Sequence, residues 1–391
     1  MFAVPAALRK PIARLAALAA LIALAACEPV QLTTTGGGGG VSRGDAVPVA
    51  LLVPSGTQNA QEASLARDLE AAARLAVTDL DGVEIDLRVY GTAGQPAQAQ
   101  QAALNAVADG ARIIIGPLHA NSANAVATAT RDRNVNVLAF SNNTTIAGGN
   151  LFVLGQTFRT TANRLARYAV RNGKSRIMVV HSDNLAGRLG RDAIEGAVRA
   201  EGATLSGSVP YEFSQDGVVD AVPEIRTTAE TNSADAIFLT ANTAGALPLF
   251  SQMLPEAGLG PDRFQYIGLA RWDTPPQTLA LPGVQGGWFA LPDPNRTAQF
   301  SSRFQTANGR APHPLAGLAY DGIAAVGALA KSGRGLTRND LTQPAGFQGV
   351  GGVFRLLPDG SNERGLAVAT ITDGKVDILS PAPQGFGGAG F

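Results

Sequence analysis

A two-lobed α/β fold, each lobe built on a doubly wound parallel sheet, is what this chain predicts, on three grounds. Short, nearly all-apolar runs are bounded by turn residues, helical patterns separate them, and the alternation runs through twice. Val47 to Val53 (VPVALLV) is apolar throughout and enters Pro54-Ser55-Gly56. A run of that length between turn signals reads as a parallel strand covered on both faces. A helical pattern follows from about Gln61 to Thr78, then a strand at Val83 to Tyr90, a helix at Gln95 to Asp109 and a strand at Arg112 to Ile115. A helix at Asn121 to Arg131 and a strand at Val135 to Phe140 complete the first series. Such alternation implies right-handed crossovers and an open parallel sheet.

The second series opens after Leu151 to Leu154. Helices are expected at 160–171, 188–201, 218–230 and 244–256, and strands at 176–181, 204–211, 236–239 and 264–268. Helical patterns at Thr297 to Asn308 and Pro314 to Lys331 follow. The last part differs in kind: strands at 352–357, 364–372 and 375–379 are linked by Asp359-Gly360 and Asp373-Gly374, both hairpin-type turn pairs. From Val47 onward the chain is long for a single core, so two lobes are expected.

The amino-terminal segment is not part of this fold. Arg9, Lys10 and Arg14 precede an alanine- and leucine-rich run from Leu15 to Ala23, the charged and apolar regions of an export signal. The run is too short for a dependable membrane span. It ends in Leu24-Ala25-Ala26-Cys27, and Cys27 is the only cysteine of the protein. This pattern resembles a bacterial lipobox, whose cysteine is acylated and becomes the mature amino terminus. Glu28 is not the aspartate that retains lipoproteins at the inner membrane, so a periplasmic protein anchored to the outer membrane is expected. Five glycines, Gly36 to Gly40, lie in the next segment. Glycine loses the most backbone entropy on ordering, so residues 27–46 read as a flexible tether between a signal peptide (1–26) and the folded domain (47–380). Residues 381–391 form a Gly/Pro-rich tail.

Composition narrows the function. The whole chain carries 31 basic and 31 acidic residues, and loss of a signal with three basic and no acidic groups leaves a formal charge of −3. A nucleic-acid partner would need a basic face. His119, His181 and His313 are the only histidines and no two stand at metal-ligand spacing. Asp79-Leu80-Asp81-Gly82 begins like a calcium loop but lacks the remaining ligands. No G-x-S-x-G, phosphate-binding loop or dinucleotide fingerprint is present. A non-enzymatic protein without cofactor or metal is the expectation.

Ile115-Gly116-Pro117-Leu118, the alanine-rich helix from Asn121, and Val137-Leu138-Ala139-Phe140-Ser141 resemble the first lobe of type I periplasmic binding proteins of the Leu/Ile/Val-binding group. The resemblance continues through Asp183-Asn184-Leu185-Ala186-Gly187, Asp235 to Leu239 and Ala319-Tyr320-Asp321, and spans the whole mature domain. It implies two lobes joined by three crossings, with a ligand in the cleft between them. Lobe 1 would hold about 47–155 and 300–331, and lobe 2 about 156–299 and 345–380. Two anchors usual in amino-acid binders differ: Ala120 stands where a hydroxyl residue is usual, and Ala186 where a tyrosine precedes the glycine. A zwitterion needs charge-assisted partners at both ends in a desolvated cleft, so these changes weaken an amino-acid reading. Ser141-Asn142-Asn143, Gly148-Gly149-Asn150 with Leu154 to Thr157, and Gly287-Trp288-Phe289 with Pro292-Asp293-Pro294 resemble another branch of the fold. That branch is the penicillin-binding protein activators, lipoproteins that stimulate a peptidoglycan synthase. The resemblance implies such a synthase as partner; the alternative is the substrate-binding component of an ABC importer, with a permease as partner.

Loops leaving the carboxyl ends of parallel strands face the crevice where open α/β sheets bind ligands. On that ground Ser141, Asn142, Asn143 and Thr145 are candidate site residues, the asparagines suiting amides or sugars, or else serving only as turn formers. His119, Asn121 and Ser122 lie in the equivalent loop after the preceding strand. Arg271-Trp272-Asp273 occupies the corresponding place in the second lobe, where Trp272 could stack on a ligand or anchor a partner, or pack on its own lobe. Tyr320 and Asp321 complete the set, with a helix-to-sheet hydrogen bond supporting the hinge as their competing role.

Overall fold

The computed structural model describes residues 46–387, so the expected signal peptide, Cys27, most of the tether and the end of the tail lie outside the described residues. Strands β1 (Val47–Val53), β2 (Ile85–Gly91), β3 (Ile113–Ile115), β4 (Asn136–Ala139) and β5 (Leu151–Val153) form a parallel sheet in the order β2-β1-β3-β4-β5. Helices α1 (Ala60–Asp79), α2 (Pro96–Ala108) and α3 (Ala120–Thr130) supply the crossovers. Helix α1 buries Leu65, Leu69, Ala72, Ala73 and Ala76 against Val49, Leu51 and Val53. The opposite face is covered by the alanines of α2 and α3 over Ala50, Leu52 and Ile114, small side chains that let helices approach the sheet closely.

The second sheet repeats the design. Helix α4 (Phe158–Arg171) leads into β6 (Arg176–Ser182), α5 (Leu185–Ala200), β7 (Thr204–Tyr211), α6 (Gln215–Thr231), β8 (Ala236–Leu239), α7 (Leu247–Glu256), β9 (Gln265–Gly268) and β10 (Trp288–Leu291). Strands β7-β6-β8-β9-β10 are parallel and in the same winding order as the first sheet. Strands β14 (Ala367–Thr372) and β15 (Lys375–Ser380) extend it antiparallel past β10, joined at Asp373-Gly374, both with positive φ (50° and 71°). Strand β10 was not foreseen, because Trp288 to Leu291 is four residues long and lies in a Gly- and Pro-rich stretch. The doubly wound expectation holds for both lobes.

Between β10 and β14 the chain returns to the first lobe. Helices α8 (Pro294–Asn308) and α9 (Gly317–Lys331) place Phe300, Phe304, Ile323, Val326 and Leu329 in the first core. After the short α10 (Arg338–Leu341), strands β11 (Phe347–Gly349), β12 (Gly352–Leu356) and β13 (Asn362–Arg364) make a small antiparallel sheet. Residues from 345 were expected in lobe 2. Phe347, Phe354 and Leu356 instead pack with Phe300 and Phe304 in the first core, because three more large apolar side chains close that face. The strand expected at 364–372 is likewise two strands, since Gly365 and Leu366 carry the chain from one sheet to the other.

The chain therefore passes between sheets three times, at 154–157, 292–293 and 365–366. One buried ion pair ties these crossings together. Asp321, on α9 and 1% exposed, accepts from the Val350 amide (2.8 Å) and from Arg364 Nη1 (2.8 Å). Arg364 also donates to the Leu154 carbonyl from Nε (3.0 Å) and Nη2 (2.6 Å), and its guanidinium lies 5.0 Å from the Phe354 ring centroid. Asn362, wholly buried, donates to the carbonyls of Val153 and Gly155. The first and third crossings are thus one hydrogen-bonded unit, and Asp293 N to Gly351 O (2.9 Å) adds the second.

Trp272 is fully buried in the second core, 6.4 Å centroid to centroid from Phe289, and a Cβ on Gly268 or Gly287 would collide with its ring. A core Trp truncated to alanine leaves a cavity worth about 3–5 kcal/mol. Trp272→Ala is accordingly expected to lower unfolding stability by that amount in denaturant titration; a loss under about 1 kcal/mol would contradict this packing. Removing one partner of a buried pair is also costly, about 3–5 kcal/mol, because the other charge stays buried. Arg364→Met should therefore be strongly destabilising, and adding Asp321→Asn should restore much of the loss. Strictly additive effects in that cycle would show that the two side chains do not act together.

Candidate functional site

Both sheets reverse their winding at one place, between β1 and β3 in the first and between β6 and β8 in the second. Ligands of open α/β sheets bind outside the carboxyl ends of the strands at such points. In the first lobe these ends carry Ser55 to Asn59 after β1 and Gly116 to His119 after β3. Gly116 has φ +95°, and a Cβ there would meet the Leu52 carbonyl, so the turn after β3 presses directly on β1. Glu62 Oε2 accepts from Thr57 Oγ1 (3.3 Å), and His119 Nε2 lies 3.4 Å from Glu62 Oε1. His119 is thereby positioned beside a carboxylate. Asn121 is exposed on the first turn of α3, whereas Ser122 points inward, 1% exposed, with no hydrogen-bond partner for its hydroxyl.

In the second lobe, Asn184 Oδ1 caps α5 through the Gly187 amide (2.8 Å) and accepts from Ser182 Oγ (3.1 Å). A Cβ at Gly187 would strike the Ser182 carbonyl, so the first turn of α5 sits tight on the end of β6. This packing pushes Leu185 outward, and it is 65% exposed; Phe213, after β7, is 57% exposed. Two large apolar side chains left in water at the carboxyl edge of a sheet form the kind of surface a ligand or partner covers.

The two lobes share a groove of about 880 Å³ beside the first crossing. Asn142, Asn143 and Thr144 line it from the first lobe; Phe158, Leu185, Ala186 and Leu189 are among the residues lining it from the second. Arg159, at its edge, is held by Asp359 at 3.1 and 3.2 Å and by Ser361. The groove wall is mostly apolar with amide groups at one lip, and its volume is that of a small-molecule site.

The expected site residues do not all gather here. Asn142 and Asn143 line the groove. Ser141, 9% exposed, accepts from the Asn143 amide (3.1 Å), and Thr145 donates to Asn143 Oδ1 from its amide (2.9 Å) and hydroxyl (2.8 Å). Half of the cluster therefore holds its own turn, leaving the Asn142 side chain and Asn143 Nδ2 without protein partners among the described residues. Arg271 and Asp273 bind each other (2.9 Å, Nε to Oδ1) on the second-lobe edge, while Trp272 between them is a correction: it is fully buried and cannot reach a ligand or a partner. Alternation of side chains sends the tryptophan into the core and both charges out.

Tyr320 is a second correction. Its hydroxyl donates to Asp79 Oδ2 (2.6 Å) at the end of α1, which is the edge of the sheet opposite the cleft, and burial and that carboxylate push its pKa up to about 12. Asp321 is spent on the hinge, as described. Sequence reasoning passed over Thr57, Glu62, Phe158, Leu189 and Phe213. Leu185 stood inside a quoted motif, and its exposure on a capped first turn was the available signal. Among the described residues no group of three or more His, Cys, Asp or Glu side chains is placed to hold a metal, and no helix is long and apolar enough to cross a membrane.

Comparison with known proteins agrees with this architecture. No curated protein matches the chain. Among solved structures, a protein from Rhodospirillum rubrum assigned to branched-chain amino acid ABC transport superposes with a TM-score of 0.71 at 19% identity, covering 86% of this chain and 100% of that one. An ABC transporter substrate-binding protein from Desulfitobacterium hafniense in complex with Leu gives 0.61 at 19% identity, covering 86% and 100%. A solute-binding protein from R. palustris in complex with benzoate gives 0.56 at 17% identity, covering 89% and 99%. At these identities the likeness is one of fold. The sequence itself matches a family over residues 46–375, the greater part of the chain, and on that ground this protein belongs to the periplasmic binding protein family.

Proposed function

We propose that this protein is the substrate-binding component of an ABC importer, capturing a small organic solute between its lobes. The observation that carries this reading is the groove of about 880 Å³ walled by both lobes beside the crossings, where closure would bury whatever it holds. Its chemistry favours a solute with an apolar body and one hydrogen-bonding end. Phe158, Leu185 and Leu189 offer apolar surface, and Asn142 with Asn143 Nδ2 offers uncharged polar groups. The acid on its wall, Asp192, is paired with Arg191 (2.6 Å), and Arg159 is paired with Asp359. Neither charge is free for a zwitterion, which agrees with alanine at 120 and 186. Structural relatives bind leucine in one case and benzoate in another. The groove here suits a solute with an aromatic or aliphatic body and an uncharged amide or hydroxyl end better than an amino acid.

Regulation of a peptidoglycan synthase, as in the penicillin-binding protein activators, is the second reading. Exposed Leu185 and Phe213 support it, since a partner protein would also cover them. Both readings are binding functions without turnover; hydrolysis of peptidoglycan or esters abolished by a groove substitution would overturn both. Export and acylation at Cys27 belong to the proposal as well, with 27–46 as tether.

Leucine, polar amino acids, benzoate, and aromatic or aliphatic amides and alcohols, screened by thermal shift and calorimetry, distinguish the readings. Ligand at about 100 Kd adds roughly 2.7 kcal/mol to a native state that binds it. A neutral amide or alcohol with an apolar body is expected to raise the melting temperature, free amino acids to leave it nearly unchanged, and Leu185→Arg to abolish the shift without lowering basal stability. No response to any solute, together with recovery of a penicillin-binding protein on the immobilised chain but not on Leu185→Arg, would replace the importer reading with the second. Separately, Cys27→Ala should eliminate incorporation of labelled palmitate; a labelled variant would refute acylation at Cys27.

A further inference from the structure

We propose that an arginine-lined pocket on the edge of the first lobe opposite the cleft binds the phosphate of an anionic phospholipid headgroup. The pocket measures about 320 Å³ and lies where the parallel strands begin. Arg112 precedes β3, Arg131 and Arg133 precede β4, and Arg338 opens α10; all four line it, and among the described residues no carboxylate does. Asn134, Asn136, Asn150 and Thr337 contribute polar walls.

Many arginines elsewhere sit against carboxylates, as in Arg74 with Glu70, Arg167 with Glu201, Arg303 with Asp79 and Arg355 with Glu363, and others, such as Arg164, Arg176 and Arg263, are held by carbonyls. At this pocket the side chains of Arg131 and Arg133 make no hydrogen bond or ion pair among the described residues. Arg338 donates only to the carbonyls of Gly149 and Pro358 and lies 5.5 Å from the Phe152 ring centroid, so its charge is positioned but not neutralised. The nearest acids do not compensate. Asp132 lies in the same exposed turn as Arg131 and Arg133 but does not line the pocket, and Asp340 Oδ2 is engaged by the Thr337 amide (3.1 Å) and hydroxyl. The guanidinia of Arg131, Arg133 and Arg338, with no acid against them among the described residues, favour an oxyanion, and their planar forks match phosphate oxygens.

The source of the phosphate follows from where the chain joins the domain. The described fold begins at Ala46, and β1 starts on this same edge: the Arg112 amide donates to the Pro48 carbonyl (3.0 Å), and β1, β3 and β4 run in parallel register from there. The segment that would carry a lipid at Cys27 therefore leaves the domain beside the pocket. A flexible tether from Cys27 would bring this edge within reach of the bilayer, and headgroup binding at the pocket would then turn the interlobe cleft away from it. That orienting role rests on the lipid-anchor reading, whereas the pocket's affinity for phosphate does not.

The chain from Glu28 onward, exported behind a cleavable signal without the lipobox, tests the pocket free of any acyl chain. Sedimentation with vesicles of phosphatidylethanolamine and phosphatidylglycerol is compared with vesicles of phosphatidylcholine alone. Each basic residue at an anionic surface contributes about 1 kcal/mol, roughly fivefold in affinity. Retention on the anionic vesicles alone, weakening as salt rises, is the expected result, with a fall of about 25-fold in the Arg131→Ala/Arg133→Ala double variant. Both side chains are exposed, and unchanged circular dichroism and melting temperature of the variant confirm that only the surface was altered. Equal retention of wild type and double variant would overturn the site. Calorimetric binding of inorganic pyrophosphate with no retention on vesicles would overturn the headgroup assignment.

Discussion

The geometry of this protein depends on how Asp321 and Arg364 are buried together where the chain crosses between sheets. Two charges with 2% and 10% side-chain exposure are tolerable only because each finds several further partners. Asp321 takes the Val350 amide, and Arg364 spends two nitrogens on the carbonyl of Leu154. Those partners belong to different stretches of sequence, so the pair brings α9, the turn before β12, the exit of β5 and the entrance to β14 to one place.

Trp272 illustrates a related constraint on the second lobe. Gly268 and Gly287 leave the space its ring occupies, and Phe289 stacks beyond it, so β9 and the approach to β10 are set around one indole. The indole Nε1 has no hydrogen-bond partner in the described structure, a cost accepted for the buried area of the ring. Burial on this scale explains why the neighbouring charges, Arg271 and Asp273, can satisfy each other at the surface: the residue between them holds the loop.

The carboxyl edges of the sheets carry the polar loops and the exposed apolar side chains, and the amino-terminal edge carries arginine. This division follows from parallel topology, in which all strand ends of one kind lie on one side. Binding between the lobes and contact with an anionic surface can therefore coexist without competing for residues, because strands of β1 to β5 length separate the two edges.

Much of the fold was legible in the chain. Apolar runs such as Val47 to Val53 and Ala236 to Leu239 are strands because a sheet covered on both faces favours apolar residues throughout, and the helices between them follow the helical period. Asp373-Gly374 makes its turn because both positions need positive φ. The cleft loops after β3 and β4 were legible for the same reason: parallel winding leaves them at the carboxyl edge. Periodicity does not carry the side-chain direction within a loop, so Arg271-Trp272-Asp273 and Tyr320-Asp321 looked alike as site candidates, though Trp272 and Asp321 turn inward and Tyr320 lies at the far edge. Nor does it tell that β12 closes the first core or that Gly365 and Leu366 interrupt a continuous apolar stretch to change sheets. By itself the sequence determined the local elements, their winding and the family, because propensity, burial pattern and turn chemistry act between near neighbours. Only the tertiary structure decided which charges are spent on the hinge, which are paired on the surface and which remain free, because those partnerships join residues far apart along the chain, as Arg364 and Leu154 are.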